Sequence, residues 1–450
     1  MTETHLLKTW FRRLWWLIRY FSLALLVLIA VYGVARLVHV SLGSLYDGSR
    51  GPYLQMLSDS GVTLRWQSQT AYVSAVRYGR EPHQLDRVVR GRASTTQHEL
   101  RLGGLSPQTR YYYELAGQDA DNGLRGSFVT SARAGSETPI RFWVTGDPGY
   151  YGPIQTAVKQ TAWQWLAQNP RPGRGAIDFW LTTGDNAYTS GTNQQFQDNF
   201  FTPYAEILAR YAVWPAYGNH DARRWAFFDI FSLPTNAEAG GTASHTEHYY
   251  SFDYGQLHVV MLDSEASSLS PHGPMARWLQ TDLKATDQPW RIVVLHHPPY
   301  TKGSHDSDRR EGSGGRLPKV RENLLPLLER LGVDMVLAGH SHMYERSHAL
   351  ACHYQDTSTW TPEYQRDTSS PYRKGSGTVY MVLGSSSKLD QGPLDHPALP
   401  IALHQAGSVI IDLDNDRLTS RFINQQGEIT DQFQIIKDGR GPTPGVRYCE

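Results

Sequence analysis

The sequence has few cysteines, no excess of either charge and no recognisable internal repeat. Its 43 Lys and Arg residues cancel its 43 Asp and Glu residues, for a formal net charge of +0. Nothing in the charge therefore favours nucleic acid as a standing partner. No unit of about 20–50 residues recurs, so there is no sign of a repeat architecture. What the chain does have is 450 residues, enough for two or three domains, and 40% apolar residues, enough for packed cores.

Only two cysteines are present, Cys352 and Cys449. In an oxidising compartment they could pair and tie the C-terminal tail to the loop that carries Cys352. Such a bond would close a loop of roughly 97 residues, with a nominal stabilisation of about 4–5 kcal/mol in the chain-entropy model. Two unpaired thiols are the alternative, because a sequence does not give the distance between them.

A long apolar run lies near the N-terminus. From Tyr20 to Ala35 the residues are apolar apart from Ser22, and with its flanks the run approaches the ~20 residues that span a bilayer. Basic residues precede it, which predicts a cytoplasmic N-terminal stub and the rest of the chain outside the cytoplasm, periplasmic or extracellular. A signal peptide cleaved near Gly33-Val34-Ala35, giving a secreted protein, is the alternative. The basic residues are Lys8, Arg12, Arg13 and Arg19.

The rest of the chain divides into an all-β part and a mixed α/β part. Short alternating patterns such as Val62–Trp66 and Tyr72–Tyr78 predict strands of a β-sandwich. Later strand-like runs alternate with the helical patterns Ile154–Ala167 and Val320–Leu331, which predicts an αββα sandwich with helices outside two packed sheets. The predicted segments are 1–40 (stub with anchor or signal), 41–50 (linker), 51–131 (all-β), 139–437 (α/β) and 438–450 (tail).

In five short sequence blocks, side chains that can coordinate metal ions come just after runs of apolar residues. The blocks contain Asp147; Asp185 with Tyr188; Asn219 with His220; His296; and His340 with His342. Side chains that follow strands converge at the carboxyl ends of an α/β sheet. Hard oxygen donors suit ferric iron, whereas imidazole and a side-chain carbonyl suit a softer divalent ion, and a carboxylate can bridge the two. The blocks together predict a two-metal hydrolase site.

The order of these blocks resembles the signature of the calcineurin-like metallophosphoesterase superfamily. Tyr188, three residues after Asp185, and the run from His340 to Arg346 resemble its purple acid phosphatase branch. Residues 51–131 resemble a fibronectin type III-like domain, and Gly51-Pro52-Tyr53-Leu54-Gln55 resembles the opening of the N-terminal domain of the plant-type enzymes. The resemblance covers roughly residues 50–436.

The resemblance implies a binuclear centre of Fe(III) and a divalent metal (Zn, Mn or Fe). Asp147, Tyr188 and His342 would hold the ferric ion. Asp185 would bridge, and Asn219, His296 and His340 would hold the divalent ion. The implied activity is that of an acid phosphatase, in which a metal-bound hydroxide attacks a small phosphate monoester. His220 would stabilise phosphoryl charge or protonate the leaving oxygen, and His305 resembles a substrate-loop histidine.

Two departures from the plant pattern concern the leaving group. Asp306 follows His305 where a second histidine is usual, and Asp221 follows His220 where Glu is more usual. A metallophosphodiesterase acting on nucleotides or other diesters is the alternative activity, but many such enzymes carry Asp-x-His in the first block, and Gly149 stands there instead. A membrane-tethered binding module with a decayed site is the alternative from another class. The physiological substrate and the oligomeric state are left open.

Overall fold

The computed structural model describes residues 3–116, 125–437 and 449. Helix α1 runs from Glu3 to Gly43, and its part from Arg13 onward is long and apolar enough to cross a membrane, by length and composition. Apolar side chains along it, such as Leu17, Phe21 and Leu28, are exposed. A signal sequence near the N-terminus meets the same criteria, so the anchor and the signal both remain predictions. The predicted tail, apart from Cys449, lies outside the described residues.

An antiparallel sheet of five strands follows the helix, and we call it the N-terminal sheet. Its order is β1-β2-β4-β5, with β3 paired to β2. The long strand β2 pairs with β1 along its first part and with β4 along its second part. The described residues thus form one continuous sheet, and the fibronectin III-like sandwich is not confirmed. The strands are β1 (Arg50–Gln55), β2 (Gly61–Gly79), β3 (Arg87–Gly103), β4 (Arg110–Leu115) and β5 (Arg125–Val129).

The N-terminal sheet is bonded to the segment that follows it. The Tyr53 hydroxyl donates to the Ile230 carbonyl at 2.7 Å, and the Arg65 guanidinium donates to the Asp229 carbonyl at 2.7 Å. Tyr53 and its neighbours are buried in the same apolar core as the α/β segment. The two parts therefore share a packed interface.

Strands and helices alternate in the α/β segment, as the sequence predicts. The strands are β6 (Ile140–Thr145), β7 (Phe179–Thr182), β8 (Ala212–Pro215), β9 (Tyr250–Tyr254), β10 (Leu257–Met261), β11 (Trp290–Val294), β12 (Met335–Ala338), β13 (Tyr344–Leu350), β14 (Gln365–Asp367), β15 (Tyr372–Arg373), β16 (Thr378–Val382), β17 (Ile401–Leu403), β18 (Gly407–Asp414), β19 (Arg417–Asn424) and β20 (Ile429–Ile436). The helices are α2 (Pro153–Gln168), α3 (Asn193–Phe196), α4 (Ala205–Leu208), α5 (Ala226–Ile230), α6 (Pro274–Ala285), α7 (Arg316–Lys319) and α8 (Leu325–Arg330).

These strands form two mixed sheets. One has eight strands in the order β14-β13-β16-β12-β11-β10-β9, with β17 on β13, and the other has seven in the order β15-β20-β19-β18-β6-β7-β8. Strands β6, β7 and β8 are parallel neighbours in the second sheet, and β10, β11, β12 and β16 are parallel neighbours in the first. Their carboxyl ends point to one edge of each sheet.

Successive side chains along a strand point to opposite faces of the sheet, so each strand contributes to two layers of the core. On β10, Val259 faces the core between the sheets, whereas Val260 joins a second core with Leu279 of α6. The sheets meet through aromatic rings such as Trp214 and Phe252, whose centroids lie 3.9 Å apart. On the outer face of the seven-stranded sheet, Trp163 of α2 packs against the ring of Trp143 on β6. A mixed α/β fold with helices outside two packed sheets is therefore confirmed.

Candidate metal centre

Each predicted ligand lies just past the carboxyl end of a strand. Three of these strands are parallel neighbours in the seven-stranded sheet, and two are parallel neighbours in the eight-stranded sheet. Because the two sheets pack face to face, their ligand-bearing ends lie at a common edge. The ligands are Asp147 after β6, Asp185 and Tyr188 after β7, Asn219 after β8, His296 after β11, and His340 and His342 after β12.

The backbone is strained at three of these positions. Asp147 and Asp185 each have φ of 52°, and His340 has φ of 67°. Non-glycine residues seldom adopt this left-handed conformation, and its use is concentrated at functional sites. Gly184 precedes Asp185 with φ of 99°, and a Cβ there would lie 2.5 Å from His296 Nδ1. A larger residue at position 184 would therefore displace a candidate ligand.

Three possible ligand groups surround the hydroxyl of Tyr188. Its oxygen lies 2.9 Å from Asp147 Oδ2, 3.0 Å from Asp185 Oδ2 and 2.9 Å from His342 Nε2. All four side chains are largely buried. Burial, reinforced by the charges of Asp147 and Asp185, raises the pKa of the Tyr188 phenol well above its usual value. Two carboxylates, a phenol and an imidazole therefore converge on one point.

A second group of donors lies beside the first. Asn219 Oδ1 is 2.9 Å from His296 Nε2 and 3.0 Å from His340 Nδ1, and these two ring nitrogens lie 3.2 Å apart. Burial, with the neighbouring imidazoles of His297 and His296, holds the pKa of His340 well below its usual value. The ring is therefore neutral, as metal ligation requires.

Asp185 connects the two groups. Its Oδ2 accepts from Tyr188 at 3.0 Å, while its Oδ1 lies 3.5 Å from His296 Nε2. The Oδ1 atom also accepts the backbone N–H of His220 at 2.8 Å. One carboxylate thus presents one oxygen to each group, which is the arrangement a bridging ligand needs.

Hydrogen bonds on the far side of each ring set the orientation of the histidines. His296 Nδ1 lies 2.8 Å from the Thr183 carbonyl, so Nδ1 carries the proton and Nε2 is left as the ligand atom. His342 Nδ1 lies 2.5 Å from Asp390 Oδ2, and His340 Nε2 lies 2.6 Å from Ser313 Oγ. Such partners fix the tautomer and raise the basicity of the ligating nitrogen.

Asp390 and Ser313 were not predicted from the sequence. Asp390 follows no apolar strand pattern, and Ser313 lies in the long polar loop after β11. Neither carries a motif of its own. Their role depends on which ring nitrogen they face, and only the folded chain shows that.

Asp221 explains one departure from the plant pattern. It is buried, and its carboxylate accepts from the backbone N–H groups of Asn186, Ala187 and Gly218, and from the Asn186 amide, at 2.9–3.2 Å. The Asp185 block and the Asn219 block are thereby tied together. All of these contacts are to the ligand loops, so Asp221 supports the position of the ligands.

The two predicted catalytic histidines lie on different sides of the centre. The His220 ring is 4.3 Å from the Tyr188 ring, and its Nε2 lies 3.9 Å from Asp185 Oδ2. Its Nδ1 lies 2.6 Å from the Thr189 carbonyl. Burial lowers the pKa of His220, although the charge of Asp185 opposes this. His305 stacks on His340 with ring centroids 4.0 Å apart.

The donor set fits two metal ions of different character. Hard oxygens dominate the Asp147–Tyr188 side and imidazoles the Asn219–His296 side. Close groups of possible ligand atoms include Asp147, Asp185 and His296, and also His296, His297 and His340. His297 belongs to the latter by distance, but its ring nitrogens face Ser264 Oγ at 3.0 Å and Glu265 Oε2 at 3.7 Å. We therefore assign His297 to the supporting structure.

Residues 140–344 match the family model of the calcineurin-like phosphoesterases. This part of the chain is therefore similar to a calcineurin-like phosphoesterase domain. All nine predicted site residues, the seven ligands with His220 and His305, fall within that match. The similarity supports a phosphoric ester hydrolase.

Curated relatives of the chain are purple acid phosphatases. The chain is 33% identical over 291 residues to purple acid phosphatase 21 of Arabidopsis thaliana, covering 61% of this chain and 60% of that protein. It is 30% identical over 293 residues to purple acid phosphatase 22 of the same plant, covering 61% of each. The chain thus spans about three fifths of the length of these relatives.

A solved purple acid phosphatase from yellow lupin (Lupinus luteus) seeds has the same fold. The TM-score is 0.68 at 19% identity, over 87% of this chain and 75% of the lupin chain. At that level of identity the likeness supports the fold alone. It agrees with the two packed sheets and outer helices described above.

The two cysteines lie away from this centre. The structure joins Cys352 and Cys449 by a disulfide, with Cα atoms 5.1 Å apart. The Tyr354 hydroxyl lies 3.2 Å from Cys449 Sγ. Residue 449 is thereby held against the loop after β13, which was one of the two arrangements left open by the sequence.

Proposed function

We propose that the chain is an acid phosphatase that hydrolyses small phosphate monoesters at a binuclear metal centre. The observation that carries the proposal is the Tyr188 oxygen, which lies within 3.0 Å of Asp147, Asp185 and His342. A phenol at the centre of two carboxylates and an imidazole is a donor set for Fe(III). Asn219, His296 and His340 would hold a divalent ion (Zn, Mn or Fe), and Asp185 would bridge.

Metal ions bound there would supply Lewis acidity toward the phosphoryl oxygens and lower the pKa of water. Side chains of the protein position the metal ligands. Asp221 and Asp390 hold the ligand loops and the His342 ring in place before substrate arrives, which limits the reorganisation needed during reaction.

His220 is the candidate acid. Its Nδ1–H donates to the Thr189 carbonyl at 2.6 Å, which turns Nε2 toward the centre. In the protonated form, Nε2–H would donate to a phosphoryl oxygen or pass its proton to the leaving alcohol. His305, stacked on His340 at the other side, would contact the bound substrate.

Activity, metal content and colour test this proposal together. The full-length protein is assayed with p-nitrophenyl phosphate and bis(p-nitrophenyl) phosphate, and its metals and visible absorption are measured. We expect the monoester to react faster, with iron and a second metal present and a visible charge-transfer band. Tyr188→Phe should abolish the band, whereas Tyr150→Phe, whose exposed ring lies 6.2 Å from the Tyr188 ring, should retain it.

Each result that contradicts the proposal has a different interpretation. A colourless active wild type would refute the ferric assignment and leave the hydrolase in place. Faster turnover of the diester would favour the phosphodiesterase. Fewer than one metal ion per chain, with no activity, would favour the binding module.

We further propose that the enzyme is exported and anchored by α1, with the catalytic segment 139–437 outside the cytoplasm. Support comes from the exposed apolar side chains of α1 and from the basic residues before it. Fractionation with N-terminal sequencing tests the anchor. A soluble mature chain that starts near Arg36 would show a cleaved signal and a secreted enzyme.

A further inference from the structure

A cavity lies where the N-terminal sheet meets the α/β segment. Its volume is about 150 Å³, and since one water occupies about 30 Å³ in the liquid, it has room for about five waters or a small anion. The N-terminal sheet contributes Arg110 of β4 and Ser127 of β5 to the wall. The loops before β7 and β8 contribute Arg174 and Arg210.

The charge around this cavity is positive and largely uncompensated. Among the described residues, the only carboxylate in its wall is that of Asp178, which already faces Arg171 at 2.8 Å and accepts from Tyr254 at 3.1 Å. Within residues 3–116, 125–437 and 449, none of the three wall arginines forms an ion pair. Three arginines therefore border one small space without a matching anion among the described residues, although the Arg174 guanidinium also donates to the Pro139 carbonyl at 2.6 Å.

The walls are fixed by contacts across the interface. The Tyr113 hydroxyl donates to the Ala209 carbonyl at 2.8 Å, and a Cβ at Gly126 would lie 2.5 Å from that same carbonyl oxygen. The Ala176 N–H donates to the Tyr211 hydroxyl at 3.1 Å. These bonds hold the arginine-bearing loops before any ligand binds, and such preorganisation favours affinity.

This cavity is separate from the metal centre. Asp178 and Tyr211 precede β7 and β8, whereas Asp185 and Asn219 follow them. A four-residue strand spans about 13 Å at 3.3 Å per residue. A ligand in the cavity therefore does not touch the metal ligands.

We propose that this cavity binds a phosphate-type dianion, held by Arg110, Arg174 and Arg210. The planar guanidinium forms paired, charge-assisted hydrogen bonds to phosphate oxygens, and a tetrahedral dianion matches the charge and the size of the space. Inorganic phosphate is the product of the proposed reaction and would be one occupant. The site does not depend on the proposed function, because its residues take no part in it.

Calorimetric titration of the full-length protein with inorganic phosphate, at constant ionic strength set with NaCl, tests the proposal. We expect a binding event that survives EDTA treatment and is weakened about tenfold or more in Arg110→Gln/Arg210→Gln, since two charge-assisted contacts are lost. Phosphatase activity should be unchanged in that variant. Arg125→Gln, at an exposed position on β5 where the side chain pairs with Glu114, is the matched control and should bind as the wild type does.

The outcomes separate this site from the metal centre. Binding that disappears with EDTA, or that is equal in wild type and the double variant, would overturn the proposal. A protein without phosphatase activity that still binds phosphate through these arginines would support the cavity and refute only the enzyme. Arg210→Gln alone, at an exposed position, serves if the double variant fails to fold, and Arg210→Lys should show intermediate affinity.

Discussion

Strands β7 and β8 carry groups of opposite charge at their two ends. At the carboxyl ends, Asp185 and Asn219 face a space lined by carboxylates, a phenol and imidazoles. At the amino ends, Arg174 and Arg210 border a cavity of positive charge. Both strands are buried along their whole length. One buried core thus holds a cation-attracting edge and an anion-attracting edge only a four-residue strand apart.

The largest effect is expected from a substitution at the carboxyl end of β7. In Asp185→Asn one bridging charge is lost between the two ligand groups, so we expect activity to fall about a thousandfold or more, with loss of bound metal. The measurements are kcat and metal content. Asp178→Asn, at the amino end of the same strand, is the matched control and should keep both. Equal loss in the two variants would mean that both ends act only through folding.

His220 gives the next largest effect. Removing a general acid costs typically about 10²–10⁴-fold, so His220→Asn should lower kcat by about a hundredfold or more. Metal content should stay unchanged, because His220 offers its backbone N–H to Asp185 and that bond remains. The exposed His272→Asn is the control. Loss of metal in His220→Asn would contradict a role in proton transfer.

A substitution of Asp390 tests whether a residue that only supports a metal ligand affects metal binding. Asp390→Ala removes the acceptor 2.5 Å from His342 Nδ1, and loss of such a partner costs about 10–100-fold in metal affinity or activity. Titration of the metal-depleted protein with iron measures the change. Asp390→Asn should recover part of the affinity, and the exposed Asp395→Ala should match the wild type. Unaltered affinity in Asp390→Ala would remove Asp390 from the site.

The smallest effect is expected at a buried histidine that lies away from both ends of β7 and β8. Its substitution should change the stability of the protein and leave its activity unchanged. His258 lies 2.8 Å from Asp253 and 2.9 Å from Asp282. Burial opposes its protonation, but the two carboxylates prevail and raise the pKa of His258 to about 9. Since this exceeds the ordinary value of about 6.5, its stabilisation is complete below pH 6.5 and is lost as pH rises to 9, on the order of 3 kcal/mol.

Thermal unfolding between pH 6 and pH 9 measures this loss. The melting temperature of the wild type should fall by a few degrees more than that of His258→Asn over this range. Activity per folded molecule should be the same in both at each pH. Parallel curves for the two proteins would show that His258 does not carry the proton linkage.

Much of the metal centre could be predicted because its ligands follow visible strand patterns. Asp147, Asp185 and His296 each lie within a few residues of the end of a buried strand, and parallel strands bring such positions together. Asp390 and Ser313 could not be predicted, since each acts across the fold on a histidine remote in sequence. In the N-terminal sheet, by contrast, strand patterns in the sequence do not predict how the strands are arranged. The predicted strands Val62–Trp66 and Tyr72–Tyr78 are two parts of one long strand, β2. Such local patterns do not tell one continuous sheet from two stacked sheets.

The sequence by itself determined the strand ends, the residue types at them and the apolar N-terminal helix, because periodicity and composition are local properties. Only the tertiary structure decided which oxygen of Asp185 faces which group, that Asp221 ties two ligand loops together, and that three arginines from β4 and two loops meet at one cavity. These depend on distances between residues far apart in the chain. Such distances are fixed only when the sheets pack.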